Sequence, residues 1–243
     1  MSEDVINVSC LTKVFSIPLE RHLSVREHVA GFFRRVGVRI LKALDDITFS
    51  VKAGEFVGVI GPNGSGKSTL MKVLAGIYLQ NKGTLAVRGT IAPLLELGIG
   101  FNEELTARDN IIVNGTIMGI SRSFLRKSSD EILDYGGLSD FGSMKVKNFS
   151  SGMRSRLAFA VASRVDADIY LMDEVMAVGD FAFKAKCIAR LEELKAQGKT
   201  IILVSHDLES VKQHSNRCLY FDQGRIVLDS TPEECIARYK AAH

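Results

Sequence analysis

A glycine-rich loop at residues 61–69 is the most specific chemical pattern in the chain. It consists of Gly61, Pro62, Asn63, Gly64, Ser65, Gly66, Lys67, Ser68 and Thr69, and it fits the phosphate-loop pattern GxxxxGK[ST]. Glycines allow backbone N–H groups to point inward at phosphate oxygens, and the N-terminus of the following helix reinforces them. Lys67 suits the β- and γ-phosphates, the Ser68 hydroxyl suits Mg²⁺, and Thr69 is placed for the α-phosphate. A chance glycine-rich turn matches this pattern in about 1% of chains of this length, so the loop predicts a nucleotide site.

Two adjacent carboxylates follow an apolar run about a hundred residues later. The run Ile169–Met172 is followed by Asp173 and Glu174. Taken alone, such a run is usually a strand end before a turn. Together with the phosphate loop it predicts a hydrolytic site, in which Asp173 holds the Mg²⁺ shell and Glu174 orients and deprotonates the attacking water.

A histidine follows a third apolar run. The run Ile201–Val204 leads into Ser205, His206 and Asp207. An ordinary core or surface histidine is the commoner explanation for such a residue. Because the run repeats the strand-then-polar order seen twice before, we favour a contact between the His206 ring N–H and the γ-phosphate.

The elements that must position these residues alternate between strand-like and helical patterns. Strands are predicted at Phe56–Ile60, Ile169–Met172 and Ile201–Val204, and helices at Ser68–Gly76 and Phe181–Gln197. The alternation predicts an α/β fold with a mainly parallel sheet that binds ligands at the carboxyl ends of its strands. A more helical stretch covers residues 106–164. We therefore expect a single domain over residues 1–243 with an inserted helical lobe.

The segment from Ser16 to Lys42 stands apart because it is basic and amphipathic. Its Arg and Lys residues are Arg21, Arg26, Arg34, Arg35, Arg39 and Lys42, against the two acids Glu20 and Glu27. Ser24 and Glu27 form a capping box, and one helical face would carry Val25, Val29, Phe32, Val36 and Ile40. Two interpretations are equally weighted: a solvated basic helix packed on its own domain, or an element lying on a membrane surface or a partner.

Composition limits the function classes. The net charge of +3 is too small to argue for nucleic acid. The four cysteines are too widely spaced for a disulfide framework or a zinc site, which favours free thiols in a reducing compartment. The N-terminus lacks the layout of a signal peptide and no run of 18 apolar residues occurs, so we expect a cytoplasmic protein.

With these residues in hand, the sequence resembles an ABC-transporter ATPase over nearly its whole length. Phe149-Ser150-Ser151-Gly152-Met153, just before a helix expected near Arg154, resembles the LSGGQ signature, and residues 177–180 with Asp180 resemble the D-loop. Phe15 matches the aromatic that stacks on adenine, although it could equally be a core residue of a strand. The resemblance implies a P-loop NTPase core with an antiparallel β portion. It also implies a homodimer that holds ATP and Mg²⁺ between the 61–69 loop of one copy and Ser150–Gly152 of the other.

The sequence departs from this family pattern at two places. The signature has Ser151 in place of its first glycine and Met153 in place of its glutamine. The glutamine expected in the Q-loop is absent from residues 94–101, where Glu96 is the nearest polar candidate. If Glu96 takes that position, it brings a negative charge to the metal and becomes a Mg²⁺ ligand.

The same departures indicate a particular subfamily of ABC-transporter ATPases. The runs LLELGIGFNEELTARDNI (94–111), FSSGMRSRLAFA (149–160) and DEVMAVGD (173–180) together resemble the ATPases that export polysaccharide or teichoic acid from bacteria, and the insert at 16–42 is similar to theirs. This implies an ATPase at the cytoplasmic face of the bacterial inner membrane. Its partner would be an integral-membrane permease that handles a lipid-linked glycan.

Two other function classes fit the sequence less well. A soluble ABC ATPase acting on nucleic acid or ribosomes usually carries two ATPase domains or a long coiled-coil insert, and the sequence has neither. A non-catalytic nucleotide-binding scaffold would be expected to lack Glu174 or Lys67, and both are present. We therefore expect an ATP-hydrolysing transport subunit that does not act on nucleic acid.

Overall fold

The computed structural model describes residues 3–18, 37–95, 100–173 and 181–242. Its strands are β1 (Asp4–Pro18), β2 (Val38–Lys52), β3 (Phe56–Ile60), β4 (Lys82–Val87), β5 (Ile91–Leu94), β6 (Ile169–Asp173), β7 (Thr200–Val204), β8 (Arg217–Asp222) and β9 (Arg225–Ser230). Its helices are α1 (Lys67–Leu74), α2 (Ala107–Ile117), α3 (Arg122–Tyr135), α4 (Ser151–Ala162), α5 (Phe181–Ala196), α6 (Leu208–His214) and α7 (Pro232–Ala242). Short 3₁₀ turns lie at Ser139–Phe141 and Val146–Asn148.

The larger sheet has the strand order β5-β6-β7-β3-β8-β9 within the described residues. All neighbouring strands are parallel except the last pair. Every residue of β3 and β7 is buried, as expected for central strands covered on both faces. The order places the carboxyl ends of β6, β7 and β3 side by side, which is where ligands bind in sheets of this kind.

A smaller antiparallel sheet has the order β2-β1-β4 and packs against the first. Ile6, Val8 and Val51 share one core cluster with Val57 of β3 and Leu70 of α1. The pair formed by β1 and β2 continues beyond this cluster to its end at residues 18 and 38. The far part of the pair is therefore a two-stranded ribbon that projects from the core.

The helices α2, α3 and α4, which lie between β5 and β6 in the chain, form a cluster of their own. Ile111, Leu125, Ile132 and Leu157 are completely buried within it. Side-chain oxygens of Thr106 and Ser121 cap α2 and α3 by accepting the backbone N–H three residues later. This helical region occupies residues 107–162, and the sheet resumes at β6. None of the described helices is both long enough and apolar enough to cross a bilayer.

The predicted α/β fold with a mainly parallel sheet is confirmed. The three predicted strands occur as β3, β6 and β7 with ends shifted by at most one residue. The helix after the phosphate loop begins at Lys67 rather than Ser68, and it ends at Leu74 because Gly76 turns into the left-handed region with φ 72°.

The helix predicted in the basic segment, from the capping box at Ser24 to Ile40, is wrong at its C-terminal end. Ile40, assigned to a helical face, lies in β2 opposite Ser16 of β1 and is 71% exposed. An apolar residue every three or four positions fits a helix, but β-branched Val38 and Ile40 also fit a strand, and pairing with β1 satisfies their backbone groups. Residues 19–36, with Ser24 and Phe32, lie outside the described residues.

The four cysteines are all free thiols. Cys10 is exposed, whereas Cys187, Cys218 and Cys235 are buried. Burial raises the pKa of the Cys187 thiol to about 12, so this group stays protonated at physiological pH. The Cys235 Sγ donates to the Cys218 carbonyl oxygen at 3.1 Å, which holds α7 against β8.

Candidate nucleotide-binding site

The phosphate loop connects the end of β3 to the start of α1. Gly61, Gly64 and Gly66 have φ values of 147°, 77° and 108°, a region that side chains disfavour. A Cβ on Gly61 would lie 2.1 Å from the Phe221 carbonyl oxygen, and one on Gly66 would lie 2.5 Å from the Ala43 carbonyl oxygen. The loop therefore needs glycine both for its conformation and for its close packing on β8 and β2.

Lys67 and Ser65 place polar groups inside the loop. Lys67 is 6% exposed, and its Nζ donates to the carbonyl oxygens of Gly61 and Pro62 at 2.8 Å each. The Ser65 Oγ is buried and has no hydrogen-bond partner among the described residues. A buried hydroxyl without a partner is costly, and a ligand oxygen would satisfy it. Both side chains fit the binding of a phosphate group.

A cavity of about 750 Å³ opens beside the loop and gathers several of the predicted residues. It is lined by Phe15, Asn63, Gly64, Gly66, Lys67, Ser68, Thr69, Asp173 and His206, among others. Asp173 pairs in register with Val204, and His206 follows two residues later, so neighbouring strand ends carry the carboxylate and the imidazole. Parallel order thus brings together groups that lie more than a hundred residues apart in the chain.

The oxygen atoms in this cavity fit a magnesium ion. The Ser68 hydroxyl and the half-buried Asp173 carboxylate are hard oxygen donors, which Mg²⁺ prefers. No cluster of three or more His, Cys, Asp or Glu side chains with metal-binding geometry occurs in the described ranges. Such a sparse set suits Mg²⁺, which commonly takes one or two protein ligands together with phosphates and water. Glu96, the other predicted ligand, lies outside the described residues.

Phe15 belongs to the wall of this cavity as well. Its ring meets Tyr78 edge-on with centroids 5.3 Å apart, and the Lys13 Nζ lies 5.1 Å from the Phe15 centroid. Lys13 is held there because its Nζ also donates to the Leu79 carbonyl oxygen at 2.7 Å. Tyr78 and Lys13 thus hold the Phe15 ring in the cavity wall.

The cavity also contains residues that sequence reasoning missed. These are Arg39, Leu41, Lys42, Ala43, Gln223 and Gly224, with Val204 completing the wall. The prediction that Arg39 and Lys42 belong to a basic helix, packed on its own domain or facing a membrane or partner, is corrected: both lie in β2 and line the cavity. The signal was the register of β2 against Phe15, which is visible only when the strand pairing is known.

The turn between β8 and β9 joins the two sheets at the phosphate loop. The Gly224 N–H donates to the Ser65 carbonyl oxygen at 2.9 Å, and the Gly224 carbonyl accepts from the Asp45 N–H at 2.8 Å. Hydrogen bonds from Lys42 and Arg225 lower the pKa of the Asp45 carboxyl, which therefore stays ionised. The antiparallel sheet is thereby fixed in position relative to the loop.

The signature-like residues lie at the start of α4, away from this cavity. The Ser150 Oγ accepts from the Met153 N–H at 3.2 Å and caps the helix, which begins at Ser151 rather than near Arg154. Ser150 and Ser151 are exposed, and a Cβ on Gly152 would meet only the Ser150 Oγ, at 3.9 Å. None of the three lines the cavity, so one copy of the chain does not bring them to the phosphate loop. Glu174 and Asp180 lie outside the described residues.

Comparison with known proteins gives concordant results. A family model described as ABC transporter matches residues 44–177. The ABC transporter protein AbcA of Aeromonas salmonicida is 40% identical over 239 residues, covering 98% of this chain and 77% of that protein. The O-antigen export system ATP-binding protein RfbB of Klebsiella pneumoniae is 38% identical over 245 residues, covering 99% of both. The teichoic acids export ATP-binding protein TagH of Bacillus anthracis is 39% identical over 208 residues, covering 86% of this chain but only 38% of that protein.

The fold also matches solved structures. A dimeric ATP-binding cassette in a post-hydrolysis state, bound to ADP and Pi, superposes with a TM-score of 0.74 over 93% of this chain and 98% of that one, at 22% sequence identity. At this sequence identity the likeness shows the fold. The family match over more than half of the chain and the full-length match to RfbB lead to one conclusion. The chain belongs to the ABC transporter family, as an ATP-binding subunit that hydrolyses ATP.

Proposed function

We propose that this chain drives export of a lipid-linked polysaccharide across the bacterial inner membrane, bound peripherally to the cytoplasmic face of an integral-membrane permease. The observation that carries the proposal is the match to RfbB of Klebsiella pneumoniae, an O-antigen export system ATP-binding protein, over 99% of both chains. AbcA and TagH are likewise named for transport or export. The alternative of an ATPase acting on nucleic acid is not favoured by these relatives.

The cavity residues support distinct roles in ATP hydrolysis. Lys67 and the loop N–H groups bind the phosphates, and His206 contacts the γ-phosphate. Ser68 and Asp173 would hold Mg²⁺, joined by Glu96 if it takes the Q-loop position; the ion would neutralise phosphate charge. Glu174, next in sequence after Asp173, orients the water and accepts its proton. Phe15 stacks on the adenine ring.

The proposed assembly is a homodimer that buries two ATP molecules. Each would lie between the 61–69 loop of one copy and Ser150–Gly152 of the other, with Asp180 at the interface. The exposed helix start at Ser151, remote from the cavity of its own chain, supports this arrangement, because the positive end of a helix stabilises an anion. Two-fold symmetry makes the two sites identical.

An apolar groove offers a contact surface for the permease. It has a volume of about 430 Å³ and lies between α1 and β5 on one side and the end of α2 on the other. Its walls include Ile77, Tyr78, Pro93, Ile117 and Met118. Ile77 is 57% exposed and Ile117 is 74% exposed, so the groove presents apolar surface of the kind that marks a contact site when it is contiguous. An apolar segment of the permease fits this groove. The basic insert at 16–42 remains a second proposed contact, now without Arg39 and Lys42.

The test measures ATPase rates of the chain with different partners. The chain is reconstituted in liposomes with the membrane protein encoded beside it, and in parallel is mixed with RNA, with Lys67→Ala as the inactive background. We expect the permease to raise the rate and RNA to leave it unchanged. Ile117→Arg should abolish the stimulation, whereas Val113→Arg on the same helix, 40% exposed but outside the groove, should retain it. Stimulation by RNA, or equal behaviour of the two variants, would contradict the proposal.

A further inference from the structure

Arg39 lies in the wall of the nucleotide cavity although it belongs to the ribbon formed by β1 and β2. The cavity lining includes both Phe15 and Arg39 as well as the phosphate loop. Within the described residues the Arg39 guanidinium forms no ion pair, whereas its neighbour Lys42 pairs with Asp45 at 2.9 Å. Arg39 is therefore a cation in the cavity wall whose charge is not neutralised by a described carboxylate.

The strand register places Arg39 on the same face as Phe15. In the antiparallel pair, Phe15 lies opposite Leu41 and Ile17 lies opposite Arg39. Residues directly opposite share a face, and the diagonal neighbours Phe15 and Arg39 are about 7–8 Å apart between Cα atoms, within reach of long side chains. Ile40, one residue along β2, points to the other face and is absent from the cavity wall.

The position of Arg39 along β2 separates it from the phosphate end of the cavity. Ala43 is the β2 residue whose carbonyl oxygen packs on Gly66 of the phosphate loop. Arg39 precedes Ala43 by four residues, which corresponds to about 13 Å at the rise of a β-strand. Lys42, next to Ala43, is the basic residue of β2 nearest the loop. Arg39 therefore lies at the Phe15 end, where the base of a nucleotide would lie.

We propose that Arg39 recognises the base of the bound nucleotide, with its planar guanidinium stacked on the ring that Phe15 contacts. A guanidinium is weakly hydrated, planar and always charged, and it stacks on aromatic faces more readily than an ammonium group. Phe15 contributes an apolar surface and Arg39 adds a cation on the same face of the ribbon. The inference rests on the proposed ATP site, in which Arg39 would bind the aromatic base rather than the phosphates.

The test compares nucleotide affinities of Arg39→Ala, Arg39→Lys and the control Ile40→Ala, which alters the opposite face of the same strand. Titrations use ATP, ADP and inorganic tripolyphosphate. Arg39→Ala should weaken ATP and ADP equally, by about threefold to tenfold, and leave tripolyphosphate binding unchanged. Arg39→Lys should recover little of the loss, and Ile40→Ala should match the wild type.

Two results would overturn this inference while leaving the ATP site intact. One is unchanged ATP affinity in Arg39→Ala. The other is a loss that is larger for ATP than for ADP, extends to tripolyphosphate and is restored by Arg39→Lys, which would assign Arg39 to the phosphates. Failure of the wild-type chain to bind ATP at all would instead overturn both the inference and the proposed function.

Discussion

Gly66 is the residue at which the phosphate loop meets the rest of the molecule. It precedes α1 with φ 108°, and a Cβ there would lie 2.5 Å from the Ala43 carbonyl oxygen and 3.5 Å from the Gly224 α-carbon. Gly64, two residues earlier, also has positive φ, but a Cβ there would meet nothing within 4 Å. An added side chain would therefore meet only backbone strain at Gly64, but both backbone strain and steric overlap at Gly66.

A pair of alanine substitutions measures the two contributions. Gly64→Ala should lower the free energy of unfolding by about 1 kcal/mol, the cost of a left-handed residue. Gly66→Ala should lower it by about 3 kcal/mol, because overlap with the Ala43 carbonyl adds about 2 kcal/mol to the same strain. Urea unfolding without nucleotide gives both values. Equal losses would show that the close approach at Gly66 is relieved by a shift of β2.

At the scale of elements, Arg217 links three parts of the structure. Its guanidinium binds both carboxylate oxygens of Asp229 in β9 at 2.5 and 2.6 Å, the Ser50 carbonyl in β2 at 2.9 Å and Glu55 at 3.1 Å. The two carboxylates raise the pKa of the Arg217 guanidinium, which is half-buried and stays charged. One side chain thus connects the antiparallel sheet to the edge of the parallel one.

Removal of this guanidinium should destabilise the fold more than removal of a surface arginine. We expect Arg217→Met to lower the free energy of unfolding by about 2 kcal/mol, since charged hydrogen bonds contribute about 1.5–3 kcal/mol and solvent screens part of this. The control is Arg88→Met. Arg88 pairs with Glu3, both are largely exposed, and the change should stay within about 0.5 kcal/mol. Similar losses for both variants in urea unfolding would refute the linking role.

Some elements can be predicted from their own residues, whereas others depend on residues that are distant in the sequence. β3 and β7 are buried on both faces, so their apolar runs mark them directly. The ribbon carrying Arg39 is half exposed and depends on pairing between residues more than twenty positions apart, so its spacing fits a helix as well as a strand. The strand-end residues Asp173 and His206 were predictable because their strands were, whereas Arg39 and Gly224 required the tertiary contact.

At the scale of the whole molecule, the proposed ATP-dependent dimer has a direct test. Glu174→Gln should bind ATP and lose most turnover, each tenfold loss corresponding to about 1.4 kcal/mol of barrier. The ATP-bound variant should therefore accumulate as a dimer, which light scattering detects as a doubled mass. Near-normal hydrolysis by this variant would remove Glu174 from the proposed role.

A second substitution locates the dimer interface. In the Glu174→Gln background, Gly152→Asp should prevent dimerisation without weakening ATP binding to the monomer, because its carboxylate would oppose the γ-phosphate of the other copy. Ser123→Asp is the matched control, at the same position in the first turn of α3 and exposed. Dimers that persist with Gly152→Asp would place the interface elsewhere.

The contact between Phe15 and Tyr78 forms a shared wall between the nucleotide cavity and the apolar groove. Phe15 lines the nucleotide cavity, Tyr78 lines the apolar groove, and their rings meet edge-on at 5.3 Å. If Phe15 stacks on the base as proposed, a groove occupant that displaces Tyr78 would also change the support of Phe15 and with it the nucleotide affinity. Linkage then requires reciprocity: the nucleotide must change the affinity of the groove for its occupant by the same factor. The proposed nucleotide and permease contacts would then be interdependent through this one pair of rings.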